Sequence, residues 1–514
     1  MSPIAPITVV SLAVVLTVTL PIPSRADSSD DFAANLGTEM PELLELYDVP
    51  GTVIAHIADG DVAWTKAYGL ADSSRGIPMS PDMLFEFGSC GKVLTAWATM
   101  RLVEEGAIEL DAPVNRYLKR WQLESTKFEA DEVTVRRLLT HTGGLNMHGY
   151  LDYSPRRVNP PDLVRSLESM HLLDGLADTV LEGDLSFGNV EVVQEPGTGY
   201  RYSGAGFAIL QMLIEDLSGE SFDGFVQNEI TDPLGATSLR WAWTPELAAR
   251  APTPYGEENQ PLEYRQLTMH GIGSEIGTVT DFARFVAAAV TGPNGEPPGR
   301  GVLRPDTVET MITSWPEARS DEGFEQGLGY GLGRLNGALS LSHGGANTGW
   351  MALFIIDTAR REGFVVASAS NRAEPLHSTI FDLWIEATYG PGGRSEWSPV
   401  PRIGPLSTLL IVIASLLTLI LAFGLFRFSR DLRAGRRKWA GRPNWRSWWR
   451  ALPWALAWLF GWYTVYSSFP LYLPPWYPDL WPTIGSRVLM LTLTAGFGFS
   501  LMRAFFPQEE KTVR

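Results

Sequence analysis

Hydrophobic and polar positions recur at two periods along this chain, and the switch between them lays out its elements. Gly51 to Ile57 is an almost unbroken apolar run, Asp59-Gly60 is a hairpin turn signal, and Val62 to Tyr68 returns, which predicts two antiparallel strands. Before them, Asp30 to Tyr47 has the spacing of an amphipathic helix. After them, Val93 to Val103 is apolar almost all round, broken by Thr95, Thr99 and Arg101. That pattern predicts a helix buried on most faces, with Gly106 as its C-terminal cap. Between about Asp111 and Gly299, helical patterns such as Thr134–His141, Ala205–Ser218 and Thr280–Val290 alternate with Pro- and Gly-rich loops. Strand patterns resume at Leu339–His343, Trp350–Asp357 and Gly363–Ser370, and a last helix covers about Leu376–Tyr389. Strands at both ends with helices between them predict an α+β domain. Its antiparallel sheet takes strands from both ends, is flanked by helices and carries a helical insertion.

Beyond that domain the pattern changes. Pro391 to Pro405 is Pro- and Gly-rich and reads as a linker, and Leu406 to Phe426 is free of charge over a length that spans a bilayer. Nine Lys and Arg residues follow between Arg427 and Arg450, which by the positive-inside rule marks a cytoplasmic loop. Ala451–Leu473 reads as a return span and Ile484–Phe506 as a third, bounded by Arg487 and Arg503 near the interfaces. At the other end, Ile7 to Leu20 is an apolar core followed by Ser24-Arg25-Ala26, the outline of a secretory signal. The expected organisation is a signal peptide at 1–26, a folded extracytoplasmic domain at 27–390, a linker at 391–405 and a membrane anchor of about three transmembrane helices at 406–514. No ionisable residue falls mid-span, which favours an anchor over a transporter.

Charge follows the same division. From Arg427 onward there are 13 basic and 4 acidic residues, and the remainder holds 28 basic against 54 acidic. So acidic a front argues against nucleic acid and against docking on anionic lipid, leaving the bilayer crossed by the tail and a small-molecule or peptide substrate as expected partners. A single cysteine, Cys90, excludes an intrachain disulfide, and the seven histidines show no metal-ligand spacing, so neither a metal nor another cofactor is expected.

The candidate chemistry opens the buried helix. In Phe87-Gly88-Ser89-Cys90-Gly91-Lys92, Ser89 stands where an N-cap belongs, but Lys92 puts an ammonium at the positive end of a helix dipole. A buried amine one turn from a hydroxyl can act as its base, which makes the pair a candidate serine nucleophile. Only one Ser-x-x-Lys occurs in the chain. A proton relay and an oxyanion hole would complete the site. Tyr202, in a turn before the helix at Ala205, suits the first, and the strand end Ser342-His343-Gly344-Gly345-Ala346 suits the second. Cys90 points about 100° round the helix from Ser89 and reads as packing, as do Trp241, Trp243 and Trp350. His141 reads as a turn residue.

In this order and spacing the three pieces resemble the serine β-lactamase and penicillin-binding-protein superfamily, and most of all its class C β-lactamase-like branch of esterases, D-aminopeptidases and peptidoglycan peptidases. Val133–Leu145, Tyr330–Gly333 and His343–Gly349 carry the likeness further, over roughly residues 30–390. The resemblance implies an acyl-enzyme on Ser89, with Lys92 taking its proton and Tyr202 serving the leaving group and the deacylating water. It implies an oxyanion hole of the Ser89 and Ala346 amides, and places His343, Gly344, Gly345 and Gly204 in the substrate-binding positions. Two departures stand out. Tyr202-Ser203-Gly204 lacks the amide of the family's Tyr-x-Asn, and His343-Gly344-Gly345 replaces Lys-Thr-Gly, exchanging an ammonium that grips a substrate carboxylate for an imidazole. The resemblance therefore favours an ester or peptide hydrolase. A β-lactamase, or a penicillin-binding sensor without turnover, remains as the alternative.

Overall fold

The computed structural model describes residues 25–150, 152–154, 162–168, 189–319, 325–390 and 423–437, with positions 494, 499 and 505. Among the described residues ten strands fall into one group of four before the helical insertion, one inside it and five after it. An eight-stranded sheet has the order β3-β2-β1-β10-β9-β8-β7-β6, and a two-stranded sheet pairs β4 with β5. In chain order these are β1 (Gly51–Ala58), β2 (Asp61–Asp72), β3 (Ile77–Pro78), β4 (Leu84–Glu86), β5 (Ile276–Thr278), β6 (Glu325–Gln326), β7 (Gly331–Leu335), β8 (Ala338–Asn347), β9 (Trp350–Asp357) and β10 (Glu362–Ser368). The predicted hairpin forms β1 and β2 around Asp59 and Gly60, both at positive φ as a tight hairpin turn requires. β1 then pairs with β10 from Thr52↔Ser368 to Ile57↔Gly363, so the sheet does join both ends of the domain.

Alternation along β1 assigns the two faces. Val53, Ala55 and Ile57 enter one core and Ile54 enters the other. The second core is closed by α1 (Arg25–Tyr47), through Phe32, Leu36 and Met40, and by the C-terminal helix of the domain (Glu374–Tyr389), through Phe381 and Trp384. The first and larger core receives α2 (Lys92–Glu104), α3 (Gly204–Ser218) and α4 (Val279–Ala287), all from the insertion between the strand groups. We label the C-terminal helix α5. α2 is buried from Lys92 through Met100, as its all-round apolar pattern predicts. It ends in a Schellman motif: Gly106 takes φ +74°, its N–H donates to Val103 O and the Ala107 N–H donates to Leu102 O.

Two expectations shift. α1 begins at Arg25, five residues before the amphipathic pattern, and runs through the expected signal-cleavage position. The short β4–β5 sheet was not apparent from periodicity, yet it carries the chain straight into Ser89. Among the described residues no helix is long and apolar enough to cross a membrane. Residues 1–24, the linker from 391, the expected span at 406–426 apart from 423–426, the span at 451–473, and all but positions 494, 499 and 505 of 484–506 lie outside the described residues.

Candidate active site

β4 delivers the chain to Phe87-Gly88-Ser89 at the helical face of the large sheet. Ser89 is not the helix cap: it lies within a 3₁₀ turn, Gly88–Gly91, and α2 follows from Lys92. Two glycines let this turn press on β8. A Cβ on Gly88, which has φ +54°, would stand 2.6 Å from the Ala346 nitrogen. One on Gly345 would stand 1.9 Å from the Phe87 carbonyl oxygen and 2.9 Å from the Ser89 nitrogen. The Ser89 and Ala346 amides thus flank one point of contact. β7 pairs with β8 only as far as Gly331↔Ser342, so among the described residues no strand pairs with His343 to Asn347 on that side. Ser89 remains half-buried.

Lys92 is one turn further and is 2% exposed. Its Nζ donates to Ser89 Oγ at 2.9 Å and to the Ile272 carbonyl at 2.6 Å. Both contacts hold the amine in place, and Nζ also lies 5.2 Å from the centroid of the Tyr202 ring and 5.7 Å from that of Phe207. The Ile272 turn is itself clamped. Gly271 N–H donates to Gln211 Oε1 at 2.9 Å, Thr95 Oγ1 donates to Gly271 O at 2.7 Å, and His270 Nδ1 meets Asp223 Oδ1 at 2.5 Å.

Tyr202 lies just before Ser203, the N-cap of α3, and three imidazoles surround its ring. His141 stacks on it at 4.3 Å between centroids, His148 lies at 4.8 Å and His343 at 6.5 Å. Its hydroxyl makes no hydrogen bond to Ser89 or Lys92 among the described residues. Burial, with the Lys92 charge as second cause, pushes His148 and His343 each down to about 4 and His141 well below the ordinary imidazole value. All three rings are neutral at pH 7. In His343 the Nδ1–H donates to the Gly344 carbonyl at 2.6 Å, which leaves Nε2 as an acceptor. It is a neutral group in the place expected to hold a substrate carboxylate.

Gly204, the missing amide, has a steric cause. A Cβ there would stand 2.7 Å from the His148 carbonyl oxygen, which accepts the Gly204 N–H at 2.8 Å. The Met147–His148 segment fills that room, with Ser203 Oγ donating to Met147 O at 2.7 Å. Gly344, by contrast, is exposed, and nothing lies within 4 Å of where its Cβ would be. Cys90 is buried and donates through Sγ to the His343 carbonyl, and burial pushes its thiol well up, in agreement with packing. Trp243 and Trp350 stack on each other at 5.6 Å within the core.

Sequence reasoning missed the layer behind Ser89. Glu86 is buried and accepts from Trp243 Nε1 and from Asn347 Nδ2, which also donates to Gly273 O at 2.9 Å. Burial outweighs both donors and pushes Glu86 up to about 8. Glu275, likewise buried, is pushed well above the carboxylate range by desolvation, and its carboxyl lies against Gly91. The available signal was Gly91, an unusual residue in the first turn of a buried helix. Among the described residues no group of three or more His, Cys, Asp or Glu side chains could hold a metal ion.

A beta-lactamase family model matches residues 39–388. Esterase EstB of Burkholderia gladioli is 27% identical over 301 residues, covering 57% of this chain and 71% of that protein. The unguisins hydrolase ungD' of Aspergillus campestris (strain IBT 28561) is 25% identical over 283 residues, 52% of this chain and 49% of that one, so the chain spans about half the length of that relative. Among solved structures, the octameric penicillin-binding protein homologue from Pyrococcus abyssi superposes with a TM-score of 0.53 at 23% identity, covering 68% of this chain and 76% of that one. The D-alanine carboxypeptidase AmpC from Burkholderia cenocepacia superposes with 0.53 at 19% identity, over 70% and 99%. These two likenesses speak for the fold. Residues 39–388 hold every group described in this site, and on that match the chain belongs to the beta-lactamase family.

Proposed function

We propose that the protein is a serine hydrolase that cleaves uncharged esters or amides through an acyl-enzyme on Ser89. The observation that carries this reading is the 2.9 Å contact from Lys92 Nζ to Ser89 Oγ at the open end of β8. In the reaction Ser89 Oγ attacks the substrate carbonyl while Lys92 accepts its proton. The Ser89 and Ala346 N–H groups receive the oxyanion, which gathers charge as the carbonyl becomes tetrahedral. Tyr202 passes its phenolic proton to the departing alkoxide or amine, the phenolate takes a proton from the water that attacks the acyl carbonyl, and the proton held on Lys92 returns to Ser89 Oγ as the acid leaves.

Substrate class follows from what the cleft lacks. A carboxylate-bearing β-lactam or D-alanyl peptide needs a cation at the β8 edge, and His343 is neutral there. An acylamino side chain is helped by an amide after Tyr202, and the His148 carbonyl occupies that space. Neither loss affects a neutral ester. The similarity to an esterase and to an unguisins hydrolase supports the same direction. The signal-like N-terminus, the charge-free run from Leu406 and the basic loop after Arg427 support a domain held outside the cytoplasm by a membrane anchor.

A fluorophosphonate probe tests the chemistry. It should label the full-length protein at Ser89 and leave Ser89→Ala unlabelled. A panel of p-nitrophenyl esters, D-alanyl peptides and a chromogenic cephalosporin then tests the class, with multiple turnovers expected only on neutral esters or amides. Equal labelling of Ser89→Ala would sink the proposal.

A further inference from the structure

His141 holds Tyr202 from three sides. Its carbonyl accepts the N–H of Arg201 at 2.7 Å and its Nδ1 accepts the N–H of Ser203 at 3.1 Å. Between those two hydrogen bonds its ring stacks on the Tyr202 ring, 4.3 Å between centroids and 28° between planes. One residue therefore brackets the peptide on both sides of the tyrosine and covers its face. That is possible because His141 adopts φ +56°, which turns its carbonyl and its side chain toward the same segment. A non-glycine residue in this region of backbone space carries a conformational cost, so the geometry is maintained against strain. The ring is 2% exposed and packed on its other sides by Phe207 and Tyr200.

The hydrogen bond from Ser203 also fixes the tautomer. With Nδ1 accepting, the neutral ring carries its proton on Nε2, and that buried N–H has no hydrogen-bond partner. A ring chosen only to fill the core would not leave a buried donor unpaired, because such a group costs free energy that an apolar side chain of the same size avoids. What the imidazole supplies, and an apolar ring would not, is the acceptor for Ser203.

We infer that His141 is a positioning residue: it fixes the Tyr202 ring over Lys92 and so sets the hydroxyl relative to the Ser89 oxygen. The role extends the proposed hydrolase reading and rests on it for its kinetic part.

Two variants separate the components. His141→Asn tolerates positive φ and offers an amide oxygen where Nδ1 stood, but removes the ring. His141→Phe keeps a ring and removes the acceptor. In full-length protein labelled with 3-fluorotyrosine, with the Tyr202 resonance assigned through Tyr202→Phe, that resonance should shift or broaden in both variants. On a p-nitrophenyl ester that the native enzyme turns over, kcat should fall about tenfold or more in His141→Phe with KM within about twofold, and by less in His141→Asn. An unmoved Tyr202 resonance together with native kcat in either folded variant would overturn the inference. If His141→Phe does not fold, His141→Asn alone decides by the same two readouts. Should the native protein prove inert toward both ester and fluorophosphonate, the hydrolase reading fails, while the fluorine signal still decides whether His141 holds Tyr202.

Discussion

The Glu275 carboxyl occupies the place of a Gly91 side chain: its Oε2 lies 1.8 Å from where the Cβ would stand, and its Cδ 2.2 Å. Gly91 separates Cys90 from Lys92 in the turn that carries Ser89, so a buried acid defines the shape of that turn from behind. The Glu275 side chain is flexible but fully buried, so it can move aside only by repacking its surroundings. Gly91→Ala should therefore destabilise the domain by about 1–3 kcal/mol, the usual cost of overpacking, and slow fluorophosphonate labelling of Ser89. Replacing Glu275 by Ala in the same chain should recover much of both. A thermal melt and a labelling time course on the two variants and the pair check it; equal losses in single and double variants would exclude the steric coupling.

Glu86 predicts how stability depends on pH. Its value is raised from 4.5 to about 8 in the folded state by burial, while the unfolded chain releases the proton near 4.5. The folded state thus holds more protons between those limits. Its contribution is complete below about pH 4.5 and is lost as pH rises through 8, at up to about 1.4 kcal/mol per pH unit for one full proton. Denaturant unfolding at pH 5, 6.5 and 8 should show a falling midpoint in the native protein. Glu86→Gln, which has no proton to lose, should flatten that slope and overtake the native protein toward pH 8.

At the β8 edge, restoring a cation should redirect specificity. His343 is held neutral by burial and by the Lys92 charge, which outweigh the bond to the Gly344 carbonyl that favours the protonated ring. In His343→Lys an ammonium would face the space above the exposed Gly344, where a carboxylate gains a charge-assisted hydrogen bond of about 1.5–3 kcal/mol. The ratio of kcat/KM for a carboxylate-bearing ester over its methyl ester should rise about tenfold or more, the equivalent of 1.4 kcal/mol. A ratio unchanged from the native enzyme would show that carboxylates are excluded for another reason.

How much of this was legible in the chain depends on the range of the interaction. β9 runs from Trp350 to Asp357 as its apolar run reads, and the hairpin at Asp59-Gly60 and the buried run after Lys92 are local patterns that survive folding unchanged. The Ser89–Lys92 contact was visible because three residues span one helical turn. By contrast, β4 and β5 are three residues each, too short to show a period, and their pairing joins positions almost two hundred residues apart. Glu86 and Glu275 read as ordinary polar positions, since nothing local announces burial. The same limit hid the packing of His141 on Tyr202: Thr140-His141-Thr142-Gly143-Gly144 looks like a turn, and it is one, but the turn grips a segment sixty residues away.

Gly204→Asn is the substitution that would recreate the amide whose absence argues against acylamino substrates, and the structure expects it to fail. The new Cβ would stand 2.7 Å from the His148 carbonyl oxygen, a backbone atom tied to the Gly204 N–H itself. To make room, the Met147–His148 segment must withdraw, breaking the bonds from Ser203 Oγ and the Gly204 amide and carrying the His148 ring away from Tyr202. Each of those two hydrogen bonds is worth about 0.5–1.5 kcal/mol, so a loss of roughly 1–3 kcal/mol in stability is expected. Activity on a neutral ester should fall as Tyr202 loses its support, and no compensating activity on an acylamino substrate should appear. Calorimetry and a paired assay on both substrates test this directly. A variant as stable as the native protein, with new turnover of the acylamino substrate, would mean that the His148 segment yields readily and that substrate class is set elsewhere in the cleft.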